Sequence, residues 1–207
     1  MRIIAGKYRG RRLKSPPSLQ TRPTSDRLRE TLFNILAPRI EGSRFLDLCA
    51  GTGAVGIESL SRGAEHVTFV DQSRKMCALI EANLEALGIE DNEVAVISSD
   101  TMAFLTRQSK KSSAPVDIIF FDPPYASDYE EVLNLIAGAR SLLADNGIVI
   151  VEHYKKKELG EAFGELRRYR VVKQGDSILS FYEREGQSHS HQRMGNPSSE
   201  VSPDPIC

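Results

Sequence analysis

The chain has 207 residues, of which 40% are hydrophobic and 27% charged, with a formal net charge of −1 at pH 7. This composition indicates a globular protein with a core of ordinary size, and no run approaches the roughly 18 consecutive apolar residues of a membrane-spanning helix. The amino terminus lacks the apolar stretch of a signal peptide, and the three distant cysteines indicate neither a zinc site nor a disulfide framework, so we expect a cytoplasmic protein without a metal.

Basic residues are concentrated at the amino-terminal end. Residues 1–44 contain 11 Lys and Arg against 3 acids, whereas the rest of the chain contains 16 against 25. A basic segment on a mildly acidic body predicts a polyanionic partner, and we favour nucleic acid over a merely solvated extension.

The first elements are a hairpin and a helix. Two strand-like segments, Arg2–Ala5 and Arg11–Lys14, flank a glycine-containing turn and predict the hairpin. Ser25 is a strong N-cap residue, and the apolar residues of Leu28–Leu36 recur with the period of an amphipathic helix. We expect Pro38 to end this helix.

From residue 44 onward, strand-like and helix-like segments alternate. The predicted strands are Phe45–Cys49, His66–Asp71, Val94–Ile97, Val116–Phe121 and Gly147–Glu152. The predicted helices begin near Ala54, Ser73, Thr101 and Asp128, and the last of them runs to Leu143. Such alternation predicts a Rossmann-like α/β fold with a mostly parallel sheet and with sites at the carboxyl ends of its strands.

The last ordered segments predict an antiparallel edge. A helix is expected near Lys156–Phe163, and Tyr169–Lys173 and Ile178–Glu183 predict a hairpin that brings the sheet to seven strands. Residues 185–207 are rich in Ser, Pro, His and Gly and predict a disordered tail. The expected organisation is a basic extension over residues 1–43, an α/β domain over 44–184 and this tail.

A glycine-rich turn follows the first strand of the α/β domain. Gly51, Gly53 and Gly56 match the pattern G-x-G-x-x-G, and Asp71 lies 20 residues after Gly51 at the end of the next strand. This pattern fits a nicotinamide or flavin dinucleotide, but the same geometry serves other adenosyl ligands. In each of them Asp71 can accept hydrogen bonds from the ribose.

Asp47 favours a cofactor with a positive end. An acid inside a buried strand is costly without a partner, and it would repel a pyrophosphate bound at the turn. S-adenosylmethionine instead presents an ammonium group. Asp100, after the third strand, can accept from the adenine amino group or can simply cap the following helix.

The sequence Asp122-Pro123-Pro124-Tyr125 follows the fourth strand. The two prolines fix φ and remove N–H donors, which leaves a rigid corner rich in hydrogen-bond acceptors. Such a corner suits an exocyclic amine, and Tyr125 offers a ring on which an extruded base can stack.

These motifs resemble a known family. D-P-P-Y together with D-L-C-A-G-T-G is similar to the class I S-adenosylmethionine-dependent amino-methyltransferases. I-I-A-G-K-Y-R-G-R-R-L (Ile3–Leu13), R-P-T-S-D-R-L-R-E-T-L-F-N-I-L (Arg22–Leu36) and the closing G-D-S-I-L-S-F-Y resemble the bacterial enzymes that methylate guanine N2 in small-subunit 16S ribosomal RNA. The resemblance covers residues 1–184.

The resemblance implies a role for each matching residue. Asp47, Gly51, Thr52 and Gly53 would hold the methionine end of the cofactor, Asp71 its ribose and Asp100 its adenine, while Asp122, Pro123 and Tyr125 would form the pocket of the target amine. It implies direct methyl transfer to guanine N2 without a metal or a covalent enzyme intermediate. The partner would be ribosomal RNA, free or in a partly assembled subunit, and we expect a monomer.

The candidate contacts to the RNA backbone are Lys7, Arg9, Arg11, Arg12, Arg22 and Arg27. Arg22 and Thr24 are equally candidates for contact with the cofactor's carboxylate. Other functions remain open at this point: methylation of adenine N6 or cytosine N4, methylation of protein glutamine, a dinucleotide-dependent oxidoreductase, and an inert RNA-binding module.

Overall fold

The computed structural model describes residues 1–16, 25–110, 114–124 and 127–186. The helices are α1 (Asp26–Ile40), α2 (Ala54–Ser61), α3 (Arg74–Leu87), α4 (Thr101–Gln108) and α5 (Tyr129–Gly138), with a short 3-10 segment at Asp91–Glu93. The strands are β1 (Arg44–Leu48), β2 (His66–Asp71), β3 (Val94–Ser98), β4 (Val116–Phe121), β5 (Leu143–Tyr154), β6 (Ala162–Phe163), β7 (Leu166–Gln174) and β8 (Ser177–Arg184). Within these ranges, no helix has the length and apolar character needed to cross a membrane.

The eight described strands form one sheet in the order β3-β2-β1-β4-β5-β8-β7-β6. Strands β1 to β5 pair in parallel, and β8, β7 and β6 add antiparallel ladders at one edge. The mostly parallel sheet with an antiparallel edge is confirmed. The predicted number of seven strands is wrong, because the two-residue strand β6 pairs with β7. Because β2 and β4 lie on opposite sides of β1, the chain reverses direction across the sheet between β1 and β4, where ligands of such folds bind.

Apolar side chains cover both faces of the sheet. On one face, which we call the α1 face, Phe45 and Phe120 belong to a cluster with α1, α2 and α3. On the other face, Leu46 and Ile119 belong to a cluster with α4 and α5. Because consecutive residues of a strand point to opposite faces, a strand covered on both sides is apolar throughout.

Helix α1 continues past the proline that was expected to end it. Pro38 lies inside the helix, which runs to Ile40. A proline in the last turn removes only one intrahelical hydrogen bond, and Ile40, four residues after the buried Leu36, is itself 4% exposed. Burial of this further apolar residue favours the extra turn.

The connection between α5 and β5 also differs from the prediction. Helix α5 ends at Gly138 and not at Leu143, and β5 begins at Leu143 and not at Gly147. Leu143 pairs with Val116 and is 1% exposed, so it enters the core from an extended backbone. The register shifts between Val116, which pairs with Leu143, and Ile118, which pairs with Ile148, so residues 144–147 of β5 are extra residues in the ladder.

The predicted helix at Lys156–Phe163 is wrong. This segment contains turns and ends in β6. Leu159 and Phe163, four residues apart, imitate a helical period, but both reach the core from irregular or extended chain. Gly164 follows with a φ of 53°, a left-handed conformation that is incompatible with a right-handed helix.

Residues 1–14 form a hairpin-like segment that we call the arm. Arg2 and Arg12 make an isolated antiparallel bridge, and the Ile3 N–H donates to the Arg11 carbonyl at 3.0 Å. The two predicted strands are therefore paired, although the pairing is too short to form a regular ladder.

Helix α2 holds the arm through a buried carboxylate. Glu58 is 0% exposed and accepts from the backbone N–H of Ile4 at 2.8 Å and of Ala5 at 3.0 Å, while Arg62 Nε donates to it at 2.8 Å. The Ser61 hydroxyl donates to the Ala5 carbonyl at 2.5 Å. These hydrogen bonds supply the partners that backbone N–H and carbonyl groups of the arm require when they are removed from water.

The arm also contributes to the core. Ile3, Tyr8 and Leu13 are buried and pack in the cluster on the α1 face. Gly6 has a φ of 82°, and a Cβ at this position would lie 1.7 Å from the Ser61 carbonyl oxygen. The arm is therefore a packed part of the domain, and its turn requires glycine.

We predict that Glu58→Ala lowers the free energy of unfolding by about 3 kcal/mol, because two backbone N–H groups and a guanidinium lose their buried acceptor. Chemical denaturation measures the change. Glu81→Ala, at an exposed position of α3, is the control and should change stability by less than about 0.5 kcal/mol. Equal stability of Glu58→Ala and the wild type would contradict this role for Glu58.

Candidate active site

The carboxyl ends of β2, β1 and β4 lie side by side. Leu48, the last residue of β1, pairs with Val70 of β2 and with Phe121 of β4. The next residue after each of these three, namely Cys49, Asp71 and Asp122, therefore lies at the same position along the strand direction. This arrangement places the glycine turn between Asp71 and Asp122.

The glycines of the turn have different functions. Gly51 and Gly53 have φ values of 54° and 73°, and Gly53 is the N-cap of α2, without a capping side chain. The first N–H groups of α2 therefore lie at the carboxyl edge of the sheet, where they favour acceptor atoms of a ligand. Gly56 instead serves packing, since a Cβ there would lie 2.2 Å from Cε1 of Phe69.

Asp71 connects the glycine turn to the end of β2. Its Oδ2 accepts from the Gly51 N–H at 2.8 Å, and its Oδ1 accepts from the Ser73 N–H at 2.8 Å. The residue is 9% exposed. Because each carboxylate oxygen has two lone pairs, Asp71 can hold the turn and also accept from a ligand hydroxyl.

Asp47 lies beneath the start of α2. It is 2% exposed, and its Oδ2 accepts from the Gly56 N–H at 2.9 Å. Burial is the main cause that raises the pKa of Asp47 to about 7; the Gly56 hydrogen bond opposes this rise, and the charge of Asp71 adds a smaller contribution to it. The side chain therefore contributes a proton-dependent charge directly under the turn.

Cys49 lies close enough to three acids for their charges to affect its pKa. It has a φ of 61°, and its Sγ lies 3.3 Å from the Thr101 hydroxyl. Burial raises the pKa of Cys49 to about 11, and Asp71, Asp122 and Asp47 also act to raise it. The thiol therefore stays protonated at neutral pH and is not a nucleophile. Sequence reasoning missed the strained backbone, which has no signature in residue type.

Asp100 caps helix α4. Its Oδ1 accepts from the Ala103 N–H at 3.0 Å, and the residue is exposed. Of the two roles left open by the sequence, capping is the one present here. Contact with adenine stays a prediction.

The corner after β4 is rich in acceptors. The Asp122 N–H donates to the Leu48 carbonyl at 3.4 Å, which keeps the start of the corner against β1. Asp122 is half-buried, Pro123 is buried and Pro124 is exposed. Neither proline has an N–H, so the corner presents carbonyls and a carboxylate. Tyr125 lies outside the described residues.

The arm reaches the glycine turn, which the sequence did not predict. The Thr52 hydroxyl lies 3.9 Å from the sulfur of Met1. The contact depends on the docking of the arm on α2, so no local pattern indicates it. One end of the basic arm is therefore adjacent to the candidate cofactor turn.

Most of the candidate RNA contacts lie on the surface. Lys7, Arg9, Arg11, Arg12 and Arg27 are exposed. The ammonium of Lys7 lies 5.1 Å from the centre of the Tyr8 ring, and Arg11 Nη2 donates to the Ala86 carbonyl at 2.8 Å. Arg22 and Thr24 lie outside the described residues.

We predict that Asp47→Asn makes stability less dependent on pH. The pKa of Asp47 is raised from 3.8 to about 7, so the folded state binds the extra proton between these values and stability falls as pH rises through that window. Between pH 5 and pH 7 the wild type should lose roughly 2 kcal/mol more than Asp47→Asn in chemical denaturation. Asp145→Asn, at an exposed position, should follow the wild type. Parallel curves for wild type and Asp47→Asn would refute the raised pKa.

Known proteins resemble this chain over nearly all of its described length. The family profile described as Conserved hypothetical protein 95 matches residues 1–183. The chain is 37% identical over 191 residues to the Escherichia coli K12 protein named Ribosomal RNA small subunit methyltransferase D, covering 92% of this chain and 93% of that protein. It is 35% identical over 186 residues to the Bacillus subtilis protein YlbH, covering 90% and 100%.

Solved structures have the same architecture. The Escherichia coli protein yhhF superposes with a TM-score of 0.78 at 35% identity, covering 90% of this chain and 99% of that one. The Thermus hypothetical protein TTHA0928 superposes with a TM-score of 0.75 at 29% identity, covering 88% and 99%. The Rossmann-like class I methyltransferase fold predicted from the sequence is confirmed. The chain belongs to the protein family described as Conserved hypothetical protein 95, and it is a relative of ribosomal RNA small subunit methyltransferase D of Escherichia coli.

Proposed function

We propose that this protein transfers a methyl group from S-adenosylmethionine to the exocyclic N2 of a guanine in small-subunit ribosomal RNA. The observation that carries the proposal is the acceptor-rich corner at Asp122 and Pro123, which lies level with the glycine turn across β1 and β4. The name of the Escherichia coli relative, a small-subunit ribosomal RNA methyltransferase, supports the same substrate class.

The residues at the turn fit S-adenosylmethionine better than a dinucleotide. Two acidic side chains lie here, Asp71 against Gly51 and Asp47 beneath α2, and a bound ammonium group would favour the ionised form of Asp47. They favour an ammonium group and ribose hydroxyls, and they disfavour a pyrophosphate. Because Asp47 is 2% exposed, it acts through its electrostatic field and not through direct contact. Bound at this turn, the cofactor supplies an electrophilic methyl group.

Each remaining cofactor residue has a specific role in the proposal. The backbone of Gly51, Thr52 and Gly53 holds the methionine end, because glycine at two of these positions allows close approach. Asp71 accepts from the ribose. Asp100 lies after β3, on the side of β2 away from β1, which suits contact with the adenine.

The corner after β4 orients the target amine. The lone pair of guanine N2 is delocalised into the ring, so this amine is a poor nucleophile. Acceptors at Asp122 and Pro123 that take its N–H groups favour a pyramidal nitrogen with its lone pair toward the methyl donor, and positioning supplies most of the rate gain. Asp122 or solvent takes the proton that N2 releases. Stacking of the base on Tyr125 contributes roughly 1–3 kcal/mol.

The arm binds the RNA backbone. Lys7, Arg9 and Arg12 are exposed, and the arm itself is fixed to α2 by Glu58. Because Met1 contacts Thr52, the amino-terminal end of the arm adjoins the cofactor turn, whereas the Lys7 N–H donates to the Ser61 carbonyl at the carboxyl-terminal end of α2. RNA bound along the arm would therefore lead toward the cofactor turn. The proposed contacts also include Arg11, Arg22 and Arg27, and Arg22 and Thr24 are alternative contacts for the cofactor's carboxylate.

The substrate is tested by mass mapping of small-subunit ribosomal RNA from cells with and without the gene. Loss of one N2-methylguanine without the gene, and its return when purified protein and S-adenosylmethionine are added to the unmodified particle, is the expected result. An unchanged set of modified guanines would overturn the proposal.

We predict that two aspartate variants separate binding from turnover. Asp122→Ala should lower kcat by at least about 100-fold and leave the affinity for S-adenosylhomocysteine unchanged, because its carboxylate orients only the amine. Asp71→Ala should weaken that affinity by at least about tenfold, because the turn and the ribose lose a charged acceptor. Calorimetric titration and single-turnover methylation measure the two effects. Normal turnover of Asp122→Ala removes this residue from the mechanism.

We predict that replacing Lys7, Arg9 and Arg12 together by Glu weakens RNA binding. The negative slope of log affinity against log salt concentration should become shallower by roughly 2, because fewer counterions are released on binding. The control reverses three exposed cations on or next to α4 and α5, namely Arg107, Lys110 and Arg140. The control should retain the wild-type slope. Equal slopes for both triple variants would make the arm a purely structural element.

A further inference from the structure

Four neighbouring strands have an acid at or next to their carboxyl ends, on the same face of the sheet. Residues i and i+2 of a strand share a face, and the apolar members of each series below belong to the cluster on the α1 face. The series are Val67, Phe69 and Asp71 on β2; Phe45 and Asp47 on β1; Ile118, Phe120 and Asp122 along β4; and Ile148, Ile150 and Glu152 on β5. The proposed function uses the first three acids and leaves Glu152 without a role.

The strand registers place Glu152 beside Asp122. Phe121 is paired in parallel with Val151, so Asp122 and Glu152 both follow this pair directly. Neighbouring strands lie about 4.8 Å apart. Because β5 lies beyond β4 in the strand order, Glu152 is one strand further from the cofactor turn than Asp122.

The burial of Glu152 makes its carboxylate unusual for this position. It is 8% exposed, and it follows Ile148 and Ile150, which are 1% and 0% exposed on the same face. Its cross-strand partner on β8, Leu179, is also fully buried. An apolar residue would extend this core, whereas burying a carboxylate carries a desolvation cost. Such conflicts with the local pattern are expected at functional sites.

Guanine presents the donors that a pair of carboxylates at this spacing can bind. Its N1–H and its N2 amine are attached to the same ring carbon, and both donate along one edge of the base. With N2 at Asp122 and the methyl donor on the side of β1, the rest of the base extends toward β5. Adenine N1 and cytosine N3 carry a lone pair at the corresponding position and would meet a carboxylate unfavourably.

We infer that Glu152 selects guanine by accepting its N1–H while Asp122 holds N2. This inference rests on the proposed function, because it concerns the same base pocket. The carboxylate on β5 then decides which base is methylated, and the corner after β4 decides which atom. Glu152 contacts the base away from the reacting atoms and is a specificity residue.

The test changes the Watson–Crick edge of the base and one atom of the side chain. 2-Aminopurine keeps the N2 amine, but its N1 is an acceptor and it lacks O6. Because the loss of O6 is common to all protein variants, the change of the guanine to 2-aminopurine ratio between variants reports on N1. RNA with guanine or 2-aminopurine at the mapped position is ligated into the particle used for the mapping, and single-turnover methylation is measured for each. Wild-type protein should prefer guanine by at least about 100-fold. Glu152→Gln presents an NH2 donor and should reduce this ratio by on the order of 100-fold.

Two further variants keep the result interpretable. Glu152→Asp retains a carboxylate and should lower the rate on both bases while still preferring guanine. Glu183→Gln, at the opposite end of the β5–β8 ladder, should keep the wild-type ratio. The ratio is measured on one protein sample, so partial unfolding of a variant does not change it. An unchanged ratio for Glu152→Gln overturns the inference, whereas wild-type protein that methylates no guanine N2 overturns the proposed function instead.

Discussion

The hydrogen bond from the Gly56 N–H to the buried Asp47 carboxylate joins the first helix after the glycine turn to the middle strand of the parallel part of the sheet. It can form only because Gly56 has no Cβ, so that α2 packs directly against Phe69 of β2. The bond fixes the height at which α2 begins and therefore the shape of the turn that precedes it. The cost of burying the acid appears as the raised pKa of Asp47, which burial brings to about 7. The other parts of the site are positioned relative to this helix.

Helix α2 connects the two ends of the site. Its amino-terminal end carries the glycine turn, where Asp71 holds the Gly51 N–H, and its buried Glu58 holds the backbone of the arm. The contact between Met1 and Thr52 completes this connection. A basic surface and a cofactor turn are thus carried by one rigid element. RNA bound at the arm and cofactor bound at the turn would therefore be held in a fixed relation without a separate recognition domain.

The carboxyl edge of the sheet concentrates negative charge on one face. Asp71, Asp47, Asp122 and Glu152 occupy four adjacent strands, and the effect of the first three on Cys49 shows that their fields overlap. An edge of this kind suits ligands that carry positive charge or hydrogen-bond donors. S-adenosylmethionine and the Watson–Crick edge of guanine are such ligands, and a dinucleotide pyrophosphate is not. In the proposed function, the order of the acids across the sheet follows the order of the groups they bind, from ribose to target base.

The amino-acid sequence was sufficient to predict the parallel sheet, its antiparallel edge, the glycine turn and the acceptor corner, because each rests on local periodicity or on the backbone properties of Gly and Pro. Prediction failed where distant packing overrides local pattern. Burial of Ile40 favours the continuation of α1 beyond Pro38. Leu159 and Phe163 are buried in the core without forming the helix that their spacing predicted. The folded chain was needed to show that Glu58 holds the arm, that Met1 reaches the turn and that Glu152 lies beside Asp122. These relations depend on strand order and register, which join residues far apart in the chain and leave no trace in any short stretch of sequence.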